Sequence, residues 1–252
     1  SRKKAEFGVG IARMEDRYFQ TNIIDFSETK HDKSTYSIFG GSIVLEGSTL
    51  NARQFATQGS REKMAAQIFT GTEHFRSGAS KVTKDTPEPY KKVQSWLQVS
   101  YQNETYHKVS PKFTLGAYLE AYYSSRNFSN NYTATLMQAG EFTPTAHSKV
   151  TYNEAFRANQ YAGVGAMPIY QLSESFQLRG EFYGFVPIFP IKKDEYGQAY
   201  YGKAFTKFEY LGEISLVFQL SFGSISAYVN HYSSPSNDWN VGLTLGWQLF
   251  NS

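Results

Sequence analysis

The residues best suited to chemistry are His231 and Ser233, two apart, which on an extended chain turns both side chains to one face. A base beside a hydroxyl is the pairing that activates a nucleophile in hydrolases, and it needs a third group to orient the base. No orienting acid is evident, and a histidine at a strand rim is the simpler account. His31, His74, His107 and His147 are isolated and stand mostly in polar connections, without the clustering a metal centre needs. A G-x-S-x-G elbow, the mark of lipase-type serine chemistry, does not occur. The chain has no cysteine, which excludes thiol catalysis, thiolate metal sites and disulfides. Catalytic, metal-binding and cofactor-binding residues are therefore unassigned, and whether the chain is an enzyme stays open.

The elements that would carry any site are strands. In the closing stretch Trp239, Val241, Leu243, Leu245, Trp247 and Leu249 alternate with Asn240, Gly242, Thr244, Gly246 and Gln248, a period of two. The run matches the roughly 9 to 11 residues of a tilted membrane-crossing strand, with Trp239 at one end and Trp247 and Phe250 at the other as aromatic girdles. A half-buried strand of a soluble sandwich alternates in the same way. Composition bears on the choice: 19 Tyr and 20 Phe among 252 residues accompany a mean hydropathy of −0.47. No apolar run approaches the roughly 18 residues of a membrane helix, whereas a porin-type barrel needs apolar residues only at alternate positions. The net charge of +3 comes from 25 basic and 22 acidic residues spread along the chain, which makes nucleic acid an unlikely partner. The chain starts at Ser1, with neither an initiating Met nor a signal peptide, and reads as a mature or truncated piece of something longer.

Alternation predicts about ten strands, over residues 5–13, 34–50, 61–75, 93–101, 113–123, 160–170, 176–188, 208–220, 225–232 and 239–250. Gly40 and Gly41 suggest a bulge or bend in the second. Connections tend to alternate between long and short, the longest being residues 124–159, as an outer-membrane barrel with short periplasmic turns and long outer loops requires. Phasing sets Glu120, Arg179, Glu181, Glu209 and Glu213 on the face opposite the apolar one, where a wet lumen would accommodate them. The reading is all-β: one antiparallel up-and-down transmembrane barrel domain over residues 1–252, in the bacterial outer membrane.

Several blocks carry a resemblance: TLNARQFATQG at Thr49–Gly59, FSNNYTATLMQAGEFTPT from Phe128, NEAFRANQYAGVG at Asn153–Gly165, AYYGKAF at Ala199–Phe205 and the closing LGWQLFN. Together they resemble the C-terminal surface-antigen barrel of bacterial patatin-like phospholipases, in the superfamily of the outer-membrane assembly factor and the two-partner secretion translocators. The resemblance runs over essentially the whole chain. It implies a lipase domain and a periplasmic linker upstream of Ser1, and a barrel of about 16 strands of which this chain supplies the C-terminal ten or so.

The superfamily's recognisable element is a long outer loop folded back into the lumen, with an aliphatic or aromatic residue, Arg-Gly and a later aromatic. The matching positions are Phe156, Arg157, Ala158, which departs from the usual Gly, and Tyr161. A guanidinium held away from bulk water needs an acidic partner, for which Glu181 is the first candidate and Glu209 or Glu213 the second. The implied role is to anchor, and to export or display, a patatin-like phospholipase domain. Its implied partners are outer-membrane lipid, the barrel insertion machinery and the missing N-terminal part of the same protein, whose first strand would pair with residues 239–250. The alternatives are a self-contained small barrel acting as a pore or embedded hydrolase, and a soluble β-sandwich binding module.

Overall fold

The computed structural model describes residues 2–19, 31–78, 89–234 and 239–247. All ten expected strands are present, in a single antiparallel sheet. In chain order the elements are β1 (Arg2–Tyr18), β2 (Asp32–Ser48), β3 (Gly59–Arg76), β4 (Tyr90–Ser110), β5 (Phe113–Ser124), helix α1 (Tyr132–Gln138), β6 (Gly140–Glu141) and β7 (Arg157–Ala158). They continue with β8 (Gln160–Gln171), β9 (Phe176–Pro187), β10 (Ile191–Lys193), β11 (Ala199–Tyr201), β12 (Glu209–Leu220), β13 (Gly223–Tyr232) and β14 (Trp239–Trp247). The sheet runs β1-β2-β3-β4-β5-β8-β9-β12-β13-β14, an up-and-down order in which β6–β7 and β10–β11 are small excursions. β1 and β14 are its two edges, and the sheet is not closed into a barrel.

Strand ends depart from the hydropathy reading in two places. β1 continues to Tyr18 and β2 begins at Asp32, where residues 14–33 read as a loop. β4 runs unbroken to Ser110 through what read as a connection from Gln102. Both extensions lack apolar alternation because one of their faces is polar and charged. Glu15, for example, lies 2.6 Å from Arg17 and 2.7 Å from Lys33 on the exposed side of β1 and β2, while the opposite face buries Tyr18 and Tyr36. Gly40 and Gly41 form no bulge, since the registers of β2 with β1 and β3 pass through them without a shift. Gly40 instead makes room for Phe69: a Cβ there would come within 2.8 Å of the Phe69 ring, which stacks on Trp96 at 5.2 Å.

The two faces of the sheet differ in kind. On one, large apolar side chains stand in the open on every strand, from Phe7 (78 % exposed) and Ile11 on β1 through Ile68, Leu119, Phe182 and Ile214 to Val241 (82 % exposed) on β14. On the other, Glu73, Glu120, Arg179, Glu181, Glu209 and Glu213 are buried. Buried charge beneath one face and bare hydrocarbon on the other inverts the usual half-buried sheet, whose apolar face forms the core. The connections also sort by end. Residues 111–112, 172–175 and 221–222 make tight turns at one end, and the long excursions 125–159 and 188–208 leave from the other.

Candidate functional site

What buries the charged face is residues 125–159, the longest segment the sequence left without regular structure. β5 and β8 pair directly beneath it, Tyr123 opposite Gln160, and its neck is closed by Ser124 N–H donating to Asn159 O at 2.6 Å. The segment lies across the polar face as a strap.

Its first half reaches toward β1. Arg126 extends beneath the strap with its guanidinium 4.6 Å from the Trp96 ring and 5.2 Å from that of Tyr36. Burial pulls this guanidinium below the ordinary arginine range, and the two ring faces supply the cation's compensation. Arg126 Nη1 donates to Gln138 Oε1 at 2.7 Å, and Gln138 Nε2 donates to Asp16 Oδ2 of β1 at 2.6 Å. Asn131 caps helix α1 by accepting from Ala134 N–H at 2.8 Å, and donates through Nδ2 to the Tyr18 hydroxyl at 2.9 Å. Asn followed by Tyr-Thr-Ala-Thr-Leu-Met-Gln is a legible start signal, but a two-turn helix is too short to display a 3.6-residue period.

The middle of the strap holds the resemblance motif. Arg157 meets Glu141, directly opposite in the β6–β7 bridge, through Nη2 at 2.8 Å. Its Nη1 faces the carbonyls of Leu136 and Met137 at 3.3 Å, at the end of α1, where Leu136 O also accepts from the Ala139 N–H at 3.2 Å. Its guanidinium also lies 4.6 Å from the Tyr152 ring.

The acids named from the sequence are therefore not its partners. Glu181 accepts from Arg179 Nε at 2.8 Å and from the Tyr183 hydroxyl at 3.2 Å. Glu209 holds Lys207 at 3.3 Å and the Ser233 hydroxyl. Glu213 lies 2.6 Å from His147 Nδ1. The physical reason is reach: the strap folds back on itself, so the nearest carboxylate to Arg157 is one that the strap itself carries.

Phe156 is buried between Phe185 and Tyr232, each ring centroid 5.7 Å away. Ala158 is fully buried opposite Gly140 and needs no glycine. Phe55 and Phe205 are the non-glycine residues with positive φ among those described, and Ala158 is not one of them. The Tyr161 hydroxyl lies 2.7 Å from Glu120 Oε1 and 3.0 Å from Glu141 O, with one proton to donate between them, and the ring stacks on Tyr122 at 5.3 Å. Phe142 fills the place of a side chain at Gly163, where any Cβ would strike its ring, and stacks on Phe185 at 5.5 Å.

The far half of the strap reaches β12 and β13. His147 stacks on Tyr228 with centroids 3.6 Å apart while holding Glu213, and Asn153 Nδ2 donates to Ser234 O at 2.8 Å. A single excursion thus binds β1 at one extreme and the end of β13 at the other.

A second loop enters from the short-turn end. Residues 49–58, between β2 and β3, extend across to β9, β12 and β13. Arg179 Nη1 donates to Ala56 O at 2.9 Å, Gln177 and Gln219 donate to Phe55 O at 3.4 and 3.3 Å, and Ser224 Oγ lies 3.1 Å from Gln54 Oε1. Arg179 completes its fork on the Tyr106 hydroxyl at 3.0 Å. Ala56 joins Tyr106, Phe142, Phe156 and Met167 in one buried cluster, so packing is continuous between the two loops. The alternation of Arg179 with Glu181 was legible in the sequence; that a loop more than 100 residues away supplies the third partner was not.

His231 and Ser233 do not form a pair. Ser233 serves Glu209 and accepts from Tyr210 N–H, while the His231 ring packs against Tyr210 and Trp239. Trp239 stands exposed on the apolar face; the side chain of Trp247 and all of Phe250 lie outside the described residues. Among the described residues no group of three His, Cys, Asp or Glu is placed to hold a metal ion. No helix is long and apolar enough to cross a membrane, which says nothing of crossing by strands. No protein-family model and no curated protein matches the chain.

Proposed function

We propose that this chain is the membrane-embedded C-terminal part of an outer-membrane β-barrel, one that anchors, and exports or displays, a patatin-like phospholipase domain carried elsewhere in the same protein. One observation supports the membrane part above the others: the sheet leaves its large apolar side chains bare on every strand and buries its charges beneath the opposite face. Exposed apolar surface on this scale marks contact with lipid or a partner, and a barrel wall between lipid and a polar lumen has this arrangement. In this reading the strap is the lumenal loop, and β1 and β14 meet further strands of the same barrel. The continuous packing from residues 49–58 to the strap weighs against a small open pore, and the separation of His231 from Ser233 weighs against an embedded hydrolase. The phospholipase link rests on the sequence blocks alone.

The test is the intact mass and N-terminal sequence of the protein extracted from native outer membranes. The reading expects a species much heavier than 28.6 kDa with a G-x-S-x-G domain ahead of Ser1. A band of 28.6 kDa would remove the anchoring role, and recovery in the aqueous fraction would remove the membrane.

A further inference from the structure

The two loops that cover the polar face enter from opposite ends and meet above β8. Loop 49–58 is held by Arg179, whose Nη1 donates to Ala56 O at 2.9 Å. The same guanidinium donates through Nε to Glu181 Oε1 at 2.8 Å, and the other oxygen of that carboxylate accepts from the Tyr183 hydroxyl at 3.2 Å. The Tyr183 ring in turn stands edge-on to Phe142 of the strap, with centroids 6.3 Å apart. Four side chains thus run from a carbonyl of one loop to a ring of the other, and each of them is 7 % exposed or less.

The backbone beneath them leaves little slack. Tyr183 and Phe142 rest on Gly165 and Gly163, neighbours on one face of β8, and a Cβ at either glycine would collide with the ring above it. Tyr106, which receives Arg179 Nη2 at 3.0 Å, lies over Gly116 of β5 in the same way, a Cβ there coming within 2.7 Å of its ring. Phe142 is also fixed from the strap's side: it stacks on Phe185 at 5.5 Å, and its N–H donates to Phe156 O at 2.9 Å, so the place of this ring sets the fold-back of the strap. Ala56 belongs to the same buried cluster as Phe142 and Tyr183, so withdrawing loop 49–58 removes packing from the cluster that seats the strap. Close-packed interiors answer such a loss by switching between discrete arrangements and not by yielding gradually.

We propose that loop 49–58 and the strap form one coupled gate: Tyr183, reached from the loop through Arg179 and Glu181, holds Phe142 on its glycine seat, and freeing either loop frees the other. The coupling belongs to the packed polar face and does not depend on the membrane assignment. In a barrel it leaves the interior shut at both ends or open at both.

The chain has no cysteine, so single spin labels can be placed in the full chain in detergent through T57C on the loop, V150C on the strap, where Val150 is 84 % exposed, and A227C on β13 as a strand reference. A56K perturbs the loop, because a charge cannot stay in the buried cluster, and G163A perturbs the strap by unseating Phe142. Each is expected to raise the mobile fraction at the distant label as well as at its own, the distant one by about 2- to 30-fold, while the label on β13 stays immobile. Folding of each variant is checked by its heat-modifiable gel shift, and A56L and F142L take the place of any variant that loses it. Release of only the perturbed loop overturns the coupling, as does an unchanged signal at both loops. Equal loosening at the β13 label overturns it too, since the effect would then be general destabilisation.

Discussion

Arg157 stands 2.8 Å from the Glu141 carboxylate across the β6–β7 bridge, and its other amino group faces the closing carbonyls of α1. One side chain therefore ties the two halves of the strap together. Arg157→Ala should loosen the strap at a cost of about 1–2 kcal/mol, discounted because Glu141 is partly exposed. Arg157→Lys should fall between, because it keeps the charge and loses the fork. The readout is the temperature at which the folded gel band converts to the unfolded one; an unchanged midpoint for Arg157→Ala would count against the pairing.

His147 offers a cleaner dissection, because its ring both stacks on Tyr228 and holds Glu213. His147→Phe keeps the stack and leaves Glu213 with Asn230, 3.4 Å away; His147→Ala removes both. The expected losses are about 1–3 kcal/mol for the first and more for the second. Limited proteolysis of residues 141–156 should follow the same order, and equal protection in both variants would assign His147 no part in docking.

Arg179 is the residue on which the loop 49–58 depends. Replacing it with Met strands Glu181 in a buried position, at about 3–5 kcal/mol, whereas the double change Arg179→Met, Glu181→Met should recover much of that loss because no lone charge remains. Both variants should free residues 49–58, detected as faster motion of a spin label at Thr57. A label that stays immobile in both would show the loop to be held by Gln177 and Gln219 instead.

The apolar face makes a prediction that separates lipid from water. Ile214→Lys places a charge in the exposed row of β12, and in a bilayer should cost about 2–4 kcal/mol at mid-depth. In a water-soluble sheet the same change at a half-exposed position should be within about 0.5 kcal/mol of neutral. Folding yield into vesicles, measured beside stability in detergent, decides between them.

The ten strands were legible because the exposed apolar positions and the buried polar positions differ so sharply that a period of two survives wherever a strand carries the apolar band. It fails beyond the band. Along Met14–Tyr18 and Gln102–Ser110 one face turns from hydrocarbon to charged and polar groups, and hydropathy cannot distinguish such a strand from a loop. Of the run Phe156-Arg157-Ala158 the structure buries Phe156 and Ala158, and it brings Tyr161 beneath the strap. The electrostatic partner of Arg157 was not legible, because candidate acids were sought among strand residues already phased to the interior. Glu141 belongs to a two-residue bridge that no periodicity reveals. The crossing of loop 49–58 to Arg179 has no local signature, since a carbonyl acceptor is available at every residue.

The strap's outermost bonds carry a consequence for the order of assembly. Asn131 to Tyr18 spans 113 residues of chain and Asn153 to Ser234 spans 81 in the opposite direction. The first cannot form before β1 is in place and the second not before β13 is, and contacts of such separation are slow to close. Docking of the whole strap is thus expected late in folding. A chain stalled before it would present a wet, charged groove to proteases and prolyl isomerases from the long-loop side, while hairpins such as β12–β13 were already complete.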